Sequence, residues 1–544
     1  SASCLTLNVQ ENAKAIIEEQ KRDAQFQEII VSCKSLNRYD GKTIKTLLPQ
    51  VSATLMAVSL HVAVGISMSF SGILVPAIDI TLHNVTQNDT ELYATKDQTA
   101  WLASIVVIAV PLGALSAGII ADTWGRLWPT RISVVPTVVG WCLIATAGTV
   151  PQLMIGRFLT GFATPWNSIP ATVYVSEIAR ADMRGSLVVL APTLASAGML
   201  LTFLQGWFLH WRTVAWISNV FVLFPLLLLF LIPESPPWLV SKGRIEEAAN
   251  SLRWLHRHQP QPENRQESYA ELVLNKLQAE HQKKLELQAR KSDLGAWALC
   301  KEFFKPTGYK PTLILTGLYF FQMFSGIYIT LFYSVTFFQK VGSQMNPYLA
   351  SIVICFVRML MSFANSYLLK AFNRRFLLIA SGIGMSVFMT ISGFVTRGIK
   401  EGDENHSYLP VVCIILYVIA SMVGMLCIPW TMMSELYPME IRGVANCLAY
   451  SIGNVMMFAS IQSFYGLLAS FGGVAGVQWF FAVVAALACV YTYVFLPETH
   501  RKTLDEIAEY FVDNSVYILA KRKGGKRSKG AVGNGQREKL MGGR

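Results

Sequence analysis

The stretch 316–335, TGLYFFQMFSGIYITLFYSV, is apolar enough to lie in hydrocarbon, yet it carries Gln322, Ser325, Tyr328 and Tyr333. Gln322, Ser325 and Tyr333 recur near helical spacing, so one side of a helix can share them. An amide, a hydroxyl and phenols donate and accept hydrogen bonds, which suits them to recognition. Arg358 stands in a second apolar run, 348–370, with no acid evident nearby in the apolar segments. A charge at that depth is costly, and a functional role is the default expectation. Such a guanidinium would meet an anion or a polar group of a ligand; otherwise it pairs with carbonyls or Tyr hydroxyls, or snorkels. No His/Asp/Ser or paired-carboxylate constellation stands out, so no catalytic residue and no enzyme is expected. No P-loop motif is present, and the nine cysteines suit no zinc site. No cofactor or metal is expected.

The elements that position these residues follow from composition. The chain has 544 residues, 53% hydrophobic and 15% charged, against about 25% charged in soluble domains. Its mean hydropathy is +0.40. A spanning helix needs about 20 apolar residues. Twelve segments qualify, near 52–80, 98–120, 130–149, 152–175, 186–209, 213–232, 312–338, 348–370, 376–396, 409–433, 444–468 and 474–496. A soluble helix shows one polar face, whereas VAWISNVFVLFPLLLLFLI shows none. The fold expected is an all-α membrane protein.

Residues 1–50 lack an early apolar core, so the first span is expected to act as its own insertion signal. Basic residues crowd the segment before it, the linker 233–311 and the end of the chain, KRKGGKRSKG. Positive charge stays cytoplasmic. Both termini and the linker are therefore expected on that side, and the net charge of +12 needs no nucleic-acid partner to explain it. The basic tail could also touch anionic lipid. The sequons at Asn84, Asn88 and Asn405 fall in loops that this topology places outside, where glycosylation is possible. No cysteine falls in an outside loop, so no disulfide framework is expected.

The two halves echo each other. SEIARADMRG follows the fourth span and SELYPMEIRG the tenth, with Glu177 to Arg184 and Glu435 to Arg442 both seven apart. ADTWGR and AFNRR follow the second and eighth spans. This predicts an amino tail 1–50, a six-helix bundle 51–232, a cytoplasmic linker 233–311 with short helices, a second six-helix bundle 312–496, and a basic tail 497–544, largely disordered after about 520. Two pseudo-symmetric halves describe a rocking transporter with its site between them at mid-membrane.

The chain resembles the sugar porter family of the major facilitator superfamily, in the style of insect trehalose and hexose transporters. The matching text is GIIADTWGR, GRFLTGF, YVSEIARADMRG, PESPPWLVSKGRIEEA, QMFSG, NRRFLLI, IPWTMMSELYPMEIRG and PETHRKTLDEI, over about 50–512. The resemblance implies the major facilitator fold and an intracellular gate of Arg126, Glu177, Arg184, Glu234, Arg374, Arg375, Glu435, Arg442 and Glu498. The expected pairs are Glu177 with Arg184 and Glu435 with Arg442. Thr123, Leu127 and Pro237 replace basic residues usual in these motifs, which implies a weaker latch. Gly156, Gly161, Gly326 and Gly424 allow close helix approach or bending, and Pro165, Pro170, Pro192 and Pro429 break backbone bonds where a helix flexes.

The resemblance also implies a substrate pocket, and the sequence departs from it. The usual Gln of the fifth span is Pro192. In the seventh, QQxSGxN becomes Gln322, Met323, Phe324, Ser325, Gly326, Ile327 and Tyr328. The usual Asn of the eighth is Arg358, and the usual acid of the tenth is Met422, while Trp430 remains as an aromatic gate. The usual Asn of the eleventh is Gly453, with Asn454 beside it. The expected substrate-binding set is therefore Pro192, Gln322, Met323, Ser325, Tyr328, Tyr333, Arg358, Trp430 and Asn454. Proton-driven members carry an acid in the first span. Here GISMSFSGILVPAI has Ser67 and Ser69, with Asp79 only at the outer end, so facilitated diffusion is expected.

Three functions are open at this point. A facilitative uniporter of trehalose or a hexose, working by alternating access, follows from the family. A carrier of a non-sugar amphipathic or anionic solute follows from the lost amides and Arg358. A non-transporting sensor is the third. The expected partners are a small-molecule substrate and the lipid bilayer, with the chain expected to act as a monomer in the plasma membrane.

Overall fold

The computed structural model describes residues 41–80, 92–180, 183–258, 268–289, 303–342, 344–400, 408–438, 441–500, 502, 504–513 and 517. The sequons at Asn84, Asn88 and Asn405 lie outside the described residues. The described residues are helical, apart from turns and one isolated bridge between Asp79 and Ala94. Eleven helical spans among them are long and apolar enough to cross a membrane, from Leu47–Ile78 to Val474–Phe495. The expected segment 152–175 is also a helix, Val150–Ile178 of 29 residues. At roughly 1.5 Å per residue it is long enough to span. Gln152, Arg157, Asn167 and Glu177 make it less apolar than the other eleven.

Local chemistry sets the helix ends. Thr95 accepts a bond from the Gln98 amide, and the Gln98 side chain accepts one from the Thr95 amide, a capping box that starts Lys96–Thr123. Pro sits in the first turn of Val150–Ile178, Pro306–Phe324 and Leu409–Val423, where its missing N–H has no intrahelical partner to lose.

The chain divides into two compact units. The first takes Ser1–Asp293, Leu331–Thr336 and Asn346–Ser366. Within it Lys96–Thr123 packs on Val150–Ile178, and His61–Ile78 packs on Leu190–Phe208. Gly161 lets two backbones meet, since a Cβ there would strike the Val106 backbone. Three linker helices, Pro236–Ser241, Ile245–Leu255 and Tyr269–Ala289, also belong to this unit. They bury Trp238, Leu239, Leu252 and Leu274 in a small core of their own. Burying each such side chain is worth about 1.5–3 kcal/mol.

The second unit takes Leu294–Thr330, Phe337–Met345 and Tyr367–Arg544. Arg374–Lys400 packs on Val474–Phe495 and on Leu409–Val423, and Pro306–Phe324 packs on Arg442–Gln462. The seventh and tenth expected spans are interrupted over several residues. The seventh stops at Phe324 and resumes as Ile329–Phe332. Between them Gly326 has φ +93°, the left-handed region that favours glycine. The tenth stops at Val423 and resumes as Ile428–Glu435. There Gly424 lies against the Leu377 backbone, and Pro429 has no N–H to continue the ladder.

Candidate functional site

The interruptions in the second unit hold polar groups among aromatic rings. Gln322 is fully buried on Pro306–Phe324, and its Nε2 donates to the Leu426 carbonyl at 2.9 Å, in the gap of the interrupted tenth span. Its Oε1 is buried without a partner among the described residues. Ser325 donates to the Gln322 carbonyl at 2.8 Å, and its own carbonyl accepts from the Tyr417 hydroxyl at 2.8 Å. The Met323 carbonyl accepts from Ser460 at 2.7 Å. Helix-break carbonyls that would lack ladder partners are thus satisfied by side chains of neighbouring helices.

Trp430, in the first turn of Ile428–Glu435, donates from Nε1 to the Tyr328 hydroxyl at 3.3 Å. Its ring lies 5.0 Å from that of Tyr319 and 5.6 Å from that of Tyr450. Gly453 sits beside Trp430, where a Cβ would come within 3.0 Å of the indole. Asn454 Nδ2 donates to the Tyr450 carbonyl at 2.8 Å, so that amide is turned onto its own helix. Gln322, Tyr328 and Trp430 therefore share one aromatic-walled neighbourhood. Tyr319 and Tyr450 complete it. Sequence reasoning missed both, although they precede Gln322 by three residues and Asn454 by four, on the same helical faces.

Pro192, Tyr333 and Arg358 belong to the first unit. Pro192 is exposed, and its carbonyl accepts from Ser196 at 2.9 Å. Tyr333 is fully buried. Two arginines are buried there, with opposite surroundings. Arg157, fully buried, donates to the Ser67 carbonyl at 2.9 Å, the Leu102 carbonyl at 3.4 Å and the Ser71 hydroxyl, and lies over the Phe70 ring at 5.6 Å. Arg358 is 6% exposed, and its side chain makes no hydrogen bond or ion pair among the described residues. Its Nε is buried and unpartnered.

The charged residues form two matching clusters at helix ends, each closed inside its own unit. In the first, Arg126 binds Glu177 through Nη2 at 3.1 Å and Nε at 3.2 Å, and Asp122 at 2.7 Å. Glu234 accepts from the amides of Arg126, Leu127 and Ser235 at 2.9, 3.1 and 2.9 Å. Ser235 closes the ring onto Glu177. Burial pushes the Glu234 carboxyl above the usual carboxylate range, against the pull of those amides. Desolvation lowers the Arg126 guanidinium, but Glu177 and Asp122 outweigh it and hold it above its usual value.

In the second cluster Arg374 binds Glu435 at 3.2 Å, and Glu498 accepts from the amides of Arg374 and Arg375 at 3.2 and 3.3 Å. Thr499 donates to Glu435 at 2.7 Å. Both Arg126 and Arg374 also reach back five residues to a carbonyl, that of Ala121 and that of Leu369. The expected pairs of Glu177 with Arg184 and Glu435 with Arg442 are not formed. Arg184 is exposed, and Arg442 folds back onto the Tyr437 carbonyl at 3.3 Å. The two carboxylates turn instead to the arginines that follow the second and eighth spans, which approach with a planar fork of donors.

Comparison with known proteins agrees with this geometry. Residues 53–511 match the family described as Sugar (and other) transporter. A facilitated trehalose transporter Tret1-2 homolog of Drosophila simulans is 31% identical over 471 residues, covering 86% of this chain and 92% of its own. The facilitated trehalose transporter Tret1 of Apis mellifera ligustica is 29% identical over 464 residues, covering 85% and 88%. Among solved structures, the inward-open xylose transporter XylE from E. coli aligns with a TM-score of 0.66 at 20% identity, covering 85% of this chain and 99% of that one. XylE as the proton:xylose symporter bound to 6-bromo-6-deoxy-D-glucose aligns with a TM-score of 0.63 at 20% identity, covering 86% and 100%. The break at Gly326, the Trp430 neighbourhood and the paired charge clusters thus stand in a multi-pass membrane protein that belongs to the sugar transporter family of the major facilitator superfamily.

Proposed function

We propose that the chain is a facilitative uniporter that moves a sugar, such as trehalose or a hexose, by alternating access. The observation that carries this is the aromatic neighbourhood of Trp430. A flat indole flanked by Tyr319 and Tyr450 offers the apolar face of a sugar ring a surface. The unpartnered Oε1 of Gln322 can accept from a ring hydroxyl, and the Tyr328 hydroxyl can donate to one. The names of the trehalose transporters among its relatives support the same cargo class.

Uniport rests on the first span. His61–Ile78 is built of apolar residues, serines and one histidine, and holds no carboxylate to take up a proton. The buried guanidinium of Arg157 is met there by the Ser67 carbonyl and the Ser71 hydroxyl, groups that stay neutral across the working pH range. The two charge clusters support a state-dependent role, because ion pairs made in one conformation and released in the other set the populations. The plasma membrane, with both termini cytoplasmic, is the location we assign.

Counterflow of labelled trehalose and glucose in proteoliposomes, with and without an imposed pH gradient, tests the reading. Saturable exchange that ignores the gradient is expected. Uptake that tracks the gradient would contradict uniport, and no flux of either sugar would contradict trehalose or a hexose as the cargo.

A further inference from the structure

The helix Pro347–Ala371 buries one stripe, which includes Ser351, Cys355, Arg358, Ser362 and Asn365. These lie three or four residues apart and share a face. Their hydrogen-bonding capacity is unevenly filled. Arg358 presents a guanidinium with no acceptor among the described residues, although it is only 6% exposed. Seven residues on, Asn365 is 5% exposed, and its Oδ1 is buried without a donor. Between them Ser362 gives its proton to the Arg358 carbonyl at 2.9 Å. Its oxygen lies 3.5 Å from that of Ser196, whose own proton is given to the Pro192 carbonyl. With both hydroxyl protons engaged within their helices, the two oxygens keep lone pairs free to accept.

At Arg358 the stripe therefore has donors without an acceptor, and from there to Asn365 it has acceptors without donors. A cation taken out of water without a partner is strongly unfavourable, so the arrangement calls for something to complete it. Arg157 shows what completion looks like in the same unit, with three protein acceptors on its guanidinium.

We infer that Arg358, Ser362, Ser196 and Asn365 form a subsite for a hydroxylated carboxylate, so that the carrier prefers a sugar acid to the neutral sugar. The planar guanidinium matches a carboxylate in a two-point fork, while hydroxyls of the same molecule donate to Ser362, Ser196 and the Asn365 oxygen. The charge count selects a carboxylate over a phosphate. A phosphate monoester carries about −1.5 to −2 at neutral pH. Apart from Arg358, the helix Pro347–Ala371 has only Lys370 at its end, and Leu190–Phe208 has no basic residue. One positive charge balances one carboxylate. This rests on the reading of the chain as a carrier.

The test uses the full chain, purified for ligand-induced thermal shift and reconstituted for counterflow, with D-glucuronate, D-glucose and glucose 6-phosphate as probes. Glucuronate is expected to bind about ten-fold more tightly than glucose or more, and to outcompete the phosphate ester. Arg358→Gln should lower the glucuronate-to-glucose ratio by about ten-fold or more, and Arg358→Lys, which keeps charge but not the fork, by less. Asn365→Leu should weaken glucuronate about two- to ten-fold, and it stands in if Arg358→Gln does not fold. Glucose moving while glucuronate does not would overturn the subsite and leave the carrier standing. So would glucose 6-phosphate outcompeting glucuronate, or glucuronate affinity unchanged in Arg358→Lys and Asn365→Leu. A chain that binds and moves none of the probes and no trehalose would overturn the carrier reading itself, and the subsite with it.

Discussion

Arg126 stands to Glu177 as Arg374 stands to Glu435, with guanidinium-to-carboxylate distances of 3.1 and 3.2 Å. Each arginine follows a spanning helix, reaches back five residues to a carbonyl, and gives its own amide to a further carboxylate, Glu234 or Glu498. The internal repeat suggested by ADTWGR and AFNRR is therefore a repeat of hydrogen bonds as well as letters. The copies are not equal. Arg126 donates three hydrogen bonds to Glu177 and one to Asp122, whereas Glu435 is the more exposed acid, 28% against 19% for Glu177.

That inequality predicts an order of stabilities. Arg126→Ala removes several charge-assisted bonds and leaves Glu177 half-buried beside Ser235, a loss of about 2–3 kcal/mol. Arg374→Ala removes a weaker, more solvated pair, at about 1–2 kcal/mol. Thermal unfolding of the purified variants should show the larger midpoint drop for Arg126→Ala. Equal drops, or the reverse order, would contradict the inequality.

The linker subdomain carries a pH dependence. Gln50 Nε2 lies 3.3 Å from His256 Nδ1, and the Tyr269 ring packs edge-on against the imidazole at 5.0 Å. Burial, with the Arg180 charge adding to it, pushes His256 from the ordinary value of 6.5 down to about 4. The unfolded chain therefore binds more protons between those values. The stability that neutral His256 contributes is complete above about pH 6.5 and is lost as pH falls toward 4. His256→Gln should remove that part of the acid sensitivity. Midpoints measured from pH 7.5 to 4.5 should converge between wild type and variant as pH falls, and a constant difference would rule the mechanism out.

The break in the seventh span depends on one residue. Gly326 has φ +93°, and the Phe481 ring occupies the place of a Cβ. Gly326→Ala combines left-handed strain of about 1–2 kcal/mol with overpacking of about 1–3 kcal/mol. The variant should lose monodisperse yield and unfold at a clearly lower temperature. Gly466→Ala, where a Cβ would meet open space, is the control that should behave as wild type.

The spans, the two-fold echo and the family motifs were legible because hydropathy and short charged signatures are local properties of the letters. The partner choices were not. Spacing equates Glu177 with Glu435, but it cannot say that each turns to Arg126 or Arg374 rather than to the arginine seven residues on. That depends on helix ends brought together by packing. Tyr319 and Tyr450 went unnoticed because a phenol in an apolar helix reads as filler until the Trp430 ring beside it is seen. The interruption at Gly424 was legible from the glycine and from Pro429, and not from hydropathy. The hydropathy of Leu409–Glu435 stays high straight through it, and the contact with the Leu377 backbone shows what the glycine is for. Asn454 fails in the opposite sense. Its letter suggested an amide for a ligand, while its Nδ2 is spent on the Tyr450 carbonyl.

The bond from Trp430 to the Tyr328 hydroxyl separates two contributions of the aromatic wall. Trp430→Phe keeps an aromatic face and loses the bond. Tyr328→Phe keeps the face and loses the same bond from the other side. A neutral hydrogen bond is worth about 0.5–1.5 kcal/mol, so each should weaken sugar affinity about two- to ten-fold. Both changes remove the shared bond, and Tyr328→Phe removes the hydroxyl offered to the sugar as well, so the double variant should be little worse than Tyr328→Phe alone. Trp430→Ala removes the stacking surface as well, and should fall below all three. Counterflow across a range of sugar concentrations reads these affinities. Strictly additive losses in the double variant would mean that Trp430 and Tyr328 each meet the sugar independently, and that the bond between them does not organise the wall.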